Sequence, residues 1–476
     1  METISQDIQQ EVQRIFALQS SHKLALRQTT AKERKAKLQK IITYIDDPKN
    51  LDRLYAAFEK DLKKPKAEVL LSETSILSQH IRFICKHLSR WMHPQKRAGG
   101  LANVGTSSHL LAESKGVCLI LSPWNYPFQL TLMPLAYAIA AGNAVIVKPS
   151  EMAPEVGRFM TEMIDSLFPE KEIAFIEGGI DTAQAMLKLP FNHIYFTGSP
   201  QVGKIVMAAA AQHLSSVTLE LGGKSPAIID RGVNLKRVAQ KTAWGKFLNN
   251  GQSCISPDYV MMHKEDQAVF VEAFTKQIKQ FFQSQTNDIQ QDASYGRIVN
   301  QKNTKRIQQL IQDAVSKGAK IAYGGQIDVE DRYVEPTVIT DVNLDMQIMQ
   351  EEIFGPVLPI MNYENLEDCL GIIEKMPYPL SAYLQSNNRK SKQWFMDKIQ
   401  AGGMVINDYM LGFTNPNLPF GGLNTSGVGR SFGHQGFVEF SNEKGVIQRQ
   451  FSNLDFLFPP YGERVMRILK LLGRWA

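Results

Sequence analysis

Cysteine is scarce in this chain: four residues in 476, namely Cys85, Cys118, Cys254 and Cys369, each far from the next. No CxxC and no Cys/His pair stands at metal-ligand spacing, so neither a structural zinc nor a disulfide framework is expected, and no metal. An apolar signal-type run is missing from the start METISQDIQQEVQRIF, which carries Glu2 and Asp7. A secretory route is therefore not expected, and a cytoplasmic, reducing compartment is. A surplus of one charge is lacking too: 53 Lys and Arg against 47 Asp and Glu leave +6. Part of that excess sits in the stretch from Lys32 to Lys40, which reads as a solvated helical face, so no nucleic-acid partner is expected. There is no internal repeat and no low-complexity tract.

What is there fits a folded globular chain. Hydrophobic residues make up 43% and charged residues 21%, and the length suggests two or three domains. Residues 5–92 read as successive amphipathic helices, with Leu38, Ile41, Ile42 and Ile45 at helical spacing. Pro94, Gly99 and Gly100 then interrupt, and a polar, strand-like stretch to about residue 114 reads as an extended arm. From Gly116 short apolar runs alternate with helical segments: VCLIL (117–121), AVIVK (144–148), EIAFI (172–176) and HIYF (193–196). Apolar runs of this kind predict a parallel sheet buried on both faces, hence a doubly wound α/β domain. A second α/β series follows residue 220, with AIID, YVMM, YVEPTVI and VLPIM as strands and 266–284, 298–316 and 389–401 as helices.

After Phe458-Pro459-Pro460 the pattern changes. Val465, Ile468, Leu469, Leu472 and Trp475 share a helical face, with Arg464, Arg467 and Arg474 elsewhere. A basic amphipathic helix of roughly 13 residues is too short to span a bilayer. It packs on the protein's own surface or a partner subunit, or makes peripheral membrane contact.

Six short segments can carry chemistry. FLNNGQSCIS (247–256) sets Cys254 in a polar, glycine-turned loop, where a thiol is placed for reaction and not for packing. HIYFTGSPQVGK (193–204) is a strand, a turn at Gly198 and Ser199, and a helix start whose free amides suit a pyrophosphate, although such a turn is often only a turn. Lys148 and Glu151 follow a buried strand at the sheet's carboxyl edge and either hold ribose hydroxyls or form a loop ion pair. In SPWNYP (122–127), prolines fix Asn125, whose amide either steadies an oxyanion or satisfies loop backbone. Glu220 interrupts the apolar strand VTLEL: simple alternation exposes it, whereas burial would raise its pKa into general-base range. Glu352 and Phe354 in EEIFGP (351–356) lie on one side if extended, offering a carboxylate for a sugar and a ring for a ring, or a core Phe.

Taken in order, PWNYP, KPSE, FTGSPQVG, ELGGKSP, NNGQSC and EEIFGP resemble the aldehyde dehydrogenase superfamily, from about residue 20 to residue 450. The GSP turn, the short N-terminal part and the FPPY tail resemble its class 3 branch, which acts on fatty and aromatic aldehydes. That branch often carries Tyr-His-Gly after GxGR; here Arg430 is followed by Ser431-Phe432-Gly433-His434.

The resemblance implies an α/β fold with a Rossmann-type NAD-binding domain (1–96 and 116–219) and an α/β catalytic domain (220–406). It further implies an oligomerisation arm (97–115 and 440–453), a return segment near the active site (407–439) and the tail (454–476). It implies Cys254 as the nucleophile that forms a thiohemiacetal and then a thioester. Asn125 and the Cys254 backbone N–H would be the oxyanion donors, and Glu220 the base that activates water. Lys148 and Glu151 would hold the adenine ribose, Gly198 and Ser199 the pyrophosphate, Glu352 and Phe354 the nicotinamide end. The cofactor is expected to be NAD, with NADP accepted, the substrate a small-molecule aldehyde, and the assembly a homodimer. An acylating relative would lack the base and a non-catalytic structural protein would have lost a chemical residue; Cys254, Glu220 and Asn125 are all present. Tyr409, Leu411 and Phe413 suggest an apolar substrate mouth.

Overall fold

The computed structural model describes residues 6–100, 103, 105–284, 286–451 and 458–472. The helical opening folds as Gln6–Arg27, Ala31–Asp46, Pro48–Leu62, Lys66–Val69 and Ser75–Met92, with a π-helical turn, Leu70–Thr74, between the last two. Ala31–Asp46 starts at a capping box: the Glu33 N–H donates to the Thr30 hydroxyl at 3.3 Å, and the Glu33 carboxylate accepts from the Thr30 N–H at 2.7 Å. The stripe Leu38, Ile41, Ile42 and Ile45 is buried against the helix Gln129–Ala141. That helix is apolar all round because it lies between the helical layer and a sheet.

The first sheet has six strands in the order Gly427–Val428, Ser216–Leu221, His193–Gly198, Val117–Leu121, Ala144–Lys148, Ile173–Phe175. All pairs are parallel except the one made by Gly427–Val428. The runs VCLIL and AVIVK are buried at every position, as a sheet covered on both faces requires. Val117–Leu121 has Ala144–Lys148 on one side and His193–Gly198 on the other. The winding reverses there, which opens a crevice at the strands' carboxyl ends. The strand Ser216–Leu221 runs through the expected junction at 219/220 and keeps Glu220 in this sheet.

The second sheet has seven strands: Lys320–Tyr323, Thr337–Thr340, Val357–Tyr363, Tyr259–His263, Pro226–Ile229, Ser381–Gln385, Gly403–Ile406. Only Lys320–Tyr323 is antiparallel. The expected single strand YVEPTVI is two: Tyr333–Val334 pairs with Ile327–Asp328, and Thr337–Thr340 enters the main sheet. Pro336 lies between them and has no N–H to donate to a ladder. The expected helices are Gln267–Phe282, Gln301–Ser316 and Arg389–Lys398.

The arm is a three-stranded antiparallel sheet, with Thr106–Ser114 between Gln95–Arg97 and Ser441–Arg449. The tail helix is Glu463–Leu472, ten residues against the roughly thirteen expected. Arg474, Trp475 and the tail's first residues, 454–457, lie outside the described residues. No described helix is long and apolar enough to cross a membrane.

Candidate active site

The Cys254 loop leaves the helix Leu235–Phe247 through Asn249 and Asn250, both left-handed at φ 52° and 55°. Asn tolerates that region better than most residues. Gly251 follows at φ 71°, and a Cβ there would stand 2.4 Å from the Gly355 carbonyl oxygen. The Cys254 loop is therefore seated directly on the EEIFGP turn. Although the loop is polar, Asn249, Asn250, Gln252 and Ser253 are all buried. Burial is tolerated because they are bonded. Gln252 donates to the carbonyls of Asn249 (3.1 Å) and Arg297 (3.0 Å) and accepts from the Val299 N–H (2.9 Å).

Asn125 is brought to this loop. Its amide donates to the Gln252 carbonyl at 3.0 Å, and the Asn249 amide donates back to the Asn125 carbonyl at 2.8 Å. One of the two N–H bonds on Nδ2 is thereby committed and the other is left for a ligand. Cys254 itself is partly buried. Burial holds its thiol well above the ordinary range, and the carboxylates of Glu352 and Glu220 push the same way, while the N–H groups of Cys254 and Ile255 pull it down.

Glu220 does not follow the exposed side of the alternation; it is 6% exposed. Desolvation raises its carboxyl to about 8, offset in part by the Ser431 hydroxyl, which donates to Oε1, and by Arg430, and reinforced by Glu439. Oε2 has no protein partner.

Glu352 and Phe354 do not lie on an extended element. Phe354 is left-handed, φ 51°, and the segment is a turn that packs the Phe354 ring edge-on against Trp124, centroids 5.2 Å apart. Glu352 accepts from the Gly223 N–H at 3.3 Å. Burial and Asp258 raise its carboxyl to about 8. A Cβ on Gly222 would stand 2.0 Å from Glu352 Oε2, so the glycine pair after Glu220 makes room for this carboxylate.

Lys148 and Glu151 form the ion pair that the loop reading foresaw, Nζ to Oε2 2.8 Å, with Lys148 buried and the Glu151 side chain 44% exposed. That exposure leaves a carboxylate beside an ammonium at the sheet's carboxyl edge, the donor and acceptor set that ribose hydroxyls need. Ser199 caps Pro200–Ala211, accepting from the Val202 N–H at 3.4 Å, and is exposed. Gly198 ends the strand beside the switch point, where a Cβ would stand 2.5 Å from the Phe196 ring. A helix N-terminus capped only by the long Ser199 contact, a small-residue turn and a carboxylate–ammonium pair at the sheet's carboxyl edge fit a dinucleotide.

Several supporting residues escaped sequence reading. Lys224 donates to Asp258 (2.5 Å) and to the carbonyls of Ile348 and Glu351, while Asp258 accepts from the Ile353 N–H at 3.1 Å. This buried pair ties the GGKSP, CISPD and EEIFGP segments together. From the helical layer, Glu68 accepts the Asn249 N–H at 2.9 Å. Glu73, paired with buried Lys64, accepts the Gln129 N–H at 2.8 Å just after SPWNYP. Their distance in sequence from the site gave no signal. Of the supposed mouth residues, Leu411 is 45% exposed, but Tyr409 is wholly buried against Tyr383. Gly245 lets the helix lie directly on Tyr409, so its ring fills core.

A Rossmann-type sheet, a second α/β domain and a cysteine loop seated between them define a cofactor-dependent oxidoreductase. The Aldehyde dehydrogenase family model matches residues 1–446, and the chain belongs to that NAD(P)-using family. AldX of Bacillus subtilis is 42% identical over 445 residues, 93% of this chain and 99% of AldX. The 4,4'-diaponeurosporen-aldehyde dehydrogenase of Staphylococcus aureus is 41% identical over 87% of this chain and 88% of its own. The solved Staphylococcus aureus AldH, in a substrate-bound state, superposes with a TM-score of 0.91 at 37% identity over 97% of this chain and 99% of AldH. The protein is an aldehyde dehydrogenase.

Proposed function

We propose that this aldehyde dehydrogenase oxidises a hydrophobic aldehyde, fatty or aromatic, to the carboxylic acid through Cys254, with NAD preferred and NADP accepted. The observation that carries the chemistry is a half-buried thiol on a loop pinned to a fixed amide, with a buried carboxylate, one oxygen free, near enough for its charge to act on the thiol. Cys254 gives its thiol proton to water as its sulfur bonds to the carbonyl carbon; the carbonyl π pair moves onto oxygen, where the second N–H of Asn125 and the Cys254 backbone N–H hold the oxyanion. Bound nicotinamide supplies the hydride acceptor. The chain's own task is then hydrolysis of the thioester on Cys254. Glu220 takes a proton from water at Oε2, the water oxygen bonds to the acyl carbon, and the C–S bond breaks to restore the cysteine. Lys148 and Glu151 bind the adenine ribose, Gly198 and Ser199 the pyrophosphate, and Glu352 with Phe354 the nicotinamide end. A carboxylate at 151 favours NAD because it repels a 2′-phosphate.

The hydrophobic substrate is supported by exposed Leu411 and Leu418 on the return segment, and by Phe458 and Tyr461 at the start of the tail. It is also supported by the relative named for 4,4'-diaponeurosporen-aldehyde. Arg464, Arg467 and Lys470 on the tail helix, with Met466 and Leu469 exposed, suit peripheral contact with an anionic membrane. The arm suits a homodimer.

The test is NADH formation with straight-chain aldehydes of increasing length and with benzaldehyde. Turnover is expected to rise with chain length, and to vanish in Cys254→Ala while NAD still binds. Turnover retained without the thiol overturns the assignment. Glu220→Gln is expected to leave a stoichiometric first release of NADH and to slow release of the acid by about 100-fold.

A further inference from the structure

Beyond the base itself, Glu220 is the inner end of a buried hydroxyl chain. Ser431 Oγ donates to Glu220 Oε1, and Tyr195 OH lies 2.7 Å from Ser431 Oγ. Ser431 and Tyr195 are both buried, and the Tyr195 ring is held by stacking on Phe440 at 5.7 Å. Next to this pair is a small cavity with room for about one water, lined by Tyr195, Ser431, Tyr137 and Glu439 among others. Glu439 is partly exposed and fixed at both oxygens, by the Arg430 N–H (2.8 Å) and the Thr218 hydroxyl (2.9 Å).

We propose that Ser431 and Tyr195 are positioning residues that orient Glu220 and carry the proton it gains away through the cavity toward Glu439. This rests on the reading of Glu220 as the base that hydrolyses the thioester.

The direction of each bond follows from proton counting. An ionised carboxylate only accepts, so Ser431 must donate to Glu220, and Tyr195 must then donate to Ser431. This leaves Oε2, the oxygen without a protein partner, for the hydrolytic water. Once that water has given its proton to Glu220, the carboxyl becomes a donor. The carboxyl then turns about its Cγ–Cδ bond to bring the new O–H onto Ser431, and the two hydroxyls turn about their C–O bonds, so that Glu220 donates to Ser431 Oγ, Ser431 to Tyr195 and Tyr195 to the cavity water; one proton then moves one step along each bond and ends on the Glu439 carboxylate. Each hydroxyl gives one proton as it receives one, so none is left charged, and Glu220 is restored as a carboxylate. Ser431 puts a short hydroxyl within reach of both Glu220 and Tyr195.

Charges acting on Glu220 come from Arg430, which favours its ionised form, and from Glu439, which opposes it. Tyr195 and Cys254 are the other titratable groups coupled to it. Removing the Ser431 donor deletes a bond made to the ionised form alone and moves titration of the base upward.

The experiment is single-turnover release of the carboxylic acid after the first NADH, followed from pH 6 to pH 10 in the parent, Ser431→Ala, Ser431→Thr and Tyr195→Phe. In Ser431→Ala the rising limb is expected about one pH unit higher, a loss of roughly ten-fold at pH 7 that largely recovers at high pH. Ser431→Thr keeps the hydroxyl and restores the parent profile. Tyr195→Phe keeps the ring on Phe440 and shifts the limb in the same direction by less. A Ser431→Ala profile that superimposes on the parent overturns the proposal. If Ser431→Ala does not fold, an unshifted Tyr195→Phe profile does so instead. Glu220→Gln separates the two readings: undiminished acid release there removes the base itself, whereas slowed release with unmoved Ser431 and Tyr195 profiles removes only the relay.

Discussion

Glu220, the proposed base, is held in the fold at a cost in stability. In the unfolded chain its carboxyl titrates near 4.5, and in the fold it titrates near 8. The folded state therefore binds the proton more tightly. The contribution of this group to stability is full below the ordinary carboxyl range and is lost as pH rises from there to about 8. Above that range the folded protein carries a buried charge with one oxygen unpaired. Glu220→Gln removes the penalty. Its melting temperature is expected to exceed the parent's at pH 8 by several degrees, a gain of the order of 2 kcal/mol, and to converge on it near pH 4.5. Equal melting temperatures at pH 8 would show that the carboxyl is not raised in the folded state.

At the level of elements, the strands were legible and the turns were not. VCLIL and AVIVK announce themselves because a strand covered on both faces is a near-continuous apolar run, Lys148 alone standing at its carboxyl end. The candidate site residues stood out in the sequence one by one for local reasons, a thiol in a glycine-turned loop or a carboxylate in an apolar strand. Their geometry was not legible: the left-handed turn at Phe354, the burial of Asn249 to Ser253 and the side chosen by Glu220 all depend on contacts from distant segments. Pro336 gave a warning inside YVEPTVI that periodicity overrode. Two glycines show the difference between a contact with a side-chain tip and one with backbone. Gly222→Ala meets the mobile end of Glu352, so it is expected to raise the KM for NAD about ten-fold with little change in melting temperature. Gly251→Ala meets the Gly355 carbonyl and a left-handed φ together, so it is expected to lower the melting temperature by several degrees and to lose turnover. The reverse ranking of the two variants in thermal melts would refute the packing argument.

At the scale of the whole molecule, the arm is the element that the chain's own core does least to explain. Thr106–Ser114 pairs with Ser441–Arg449 along nine residues, yet Gln95–Arg97 covers only three residues of its other edge. Ser441–Arg449 has a single strand neighbour among the described residues, and Ile447 on it is 66% exposed, with Phe451 just beyond at 72%. Edge strands are normally blunted by charge, and here Lys444 is occupied by an ion pair with Glu113 at 2.7 Å. An unpaired ladder next to exposed apolar side chains would be satisfied by a second copy of the same strand, and that pairing is the expectation tested here. Ile447→Lys puts a charge where that contact would form without disturbing the pairing to Thr106–Ser114. Sedimentation velocity at micromolar concentration is expected to show a dimer for the parent and a monomer for Ile447→Lys, with the same melting temperature at low concentration. A parent that sediments as a monomer would leave the arm to some other partner, and a variant that stays dimeric would move the interface off this edge.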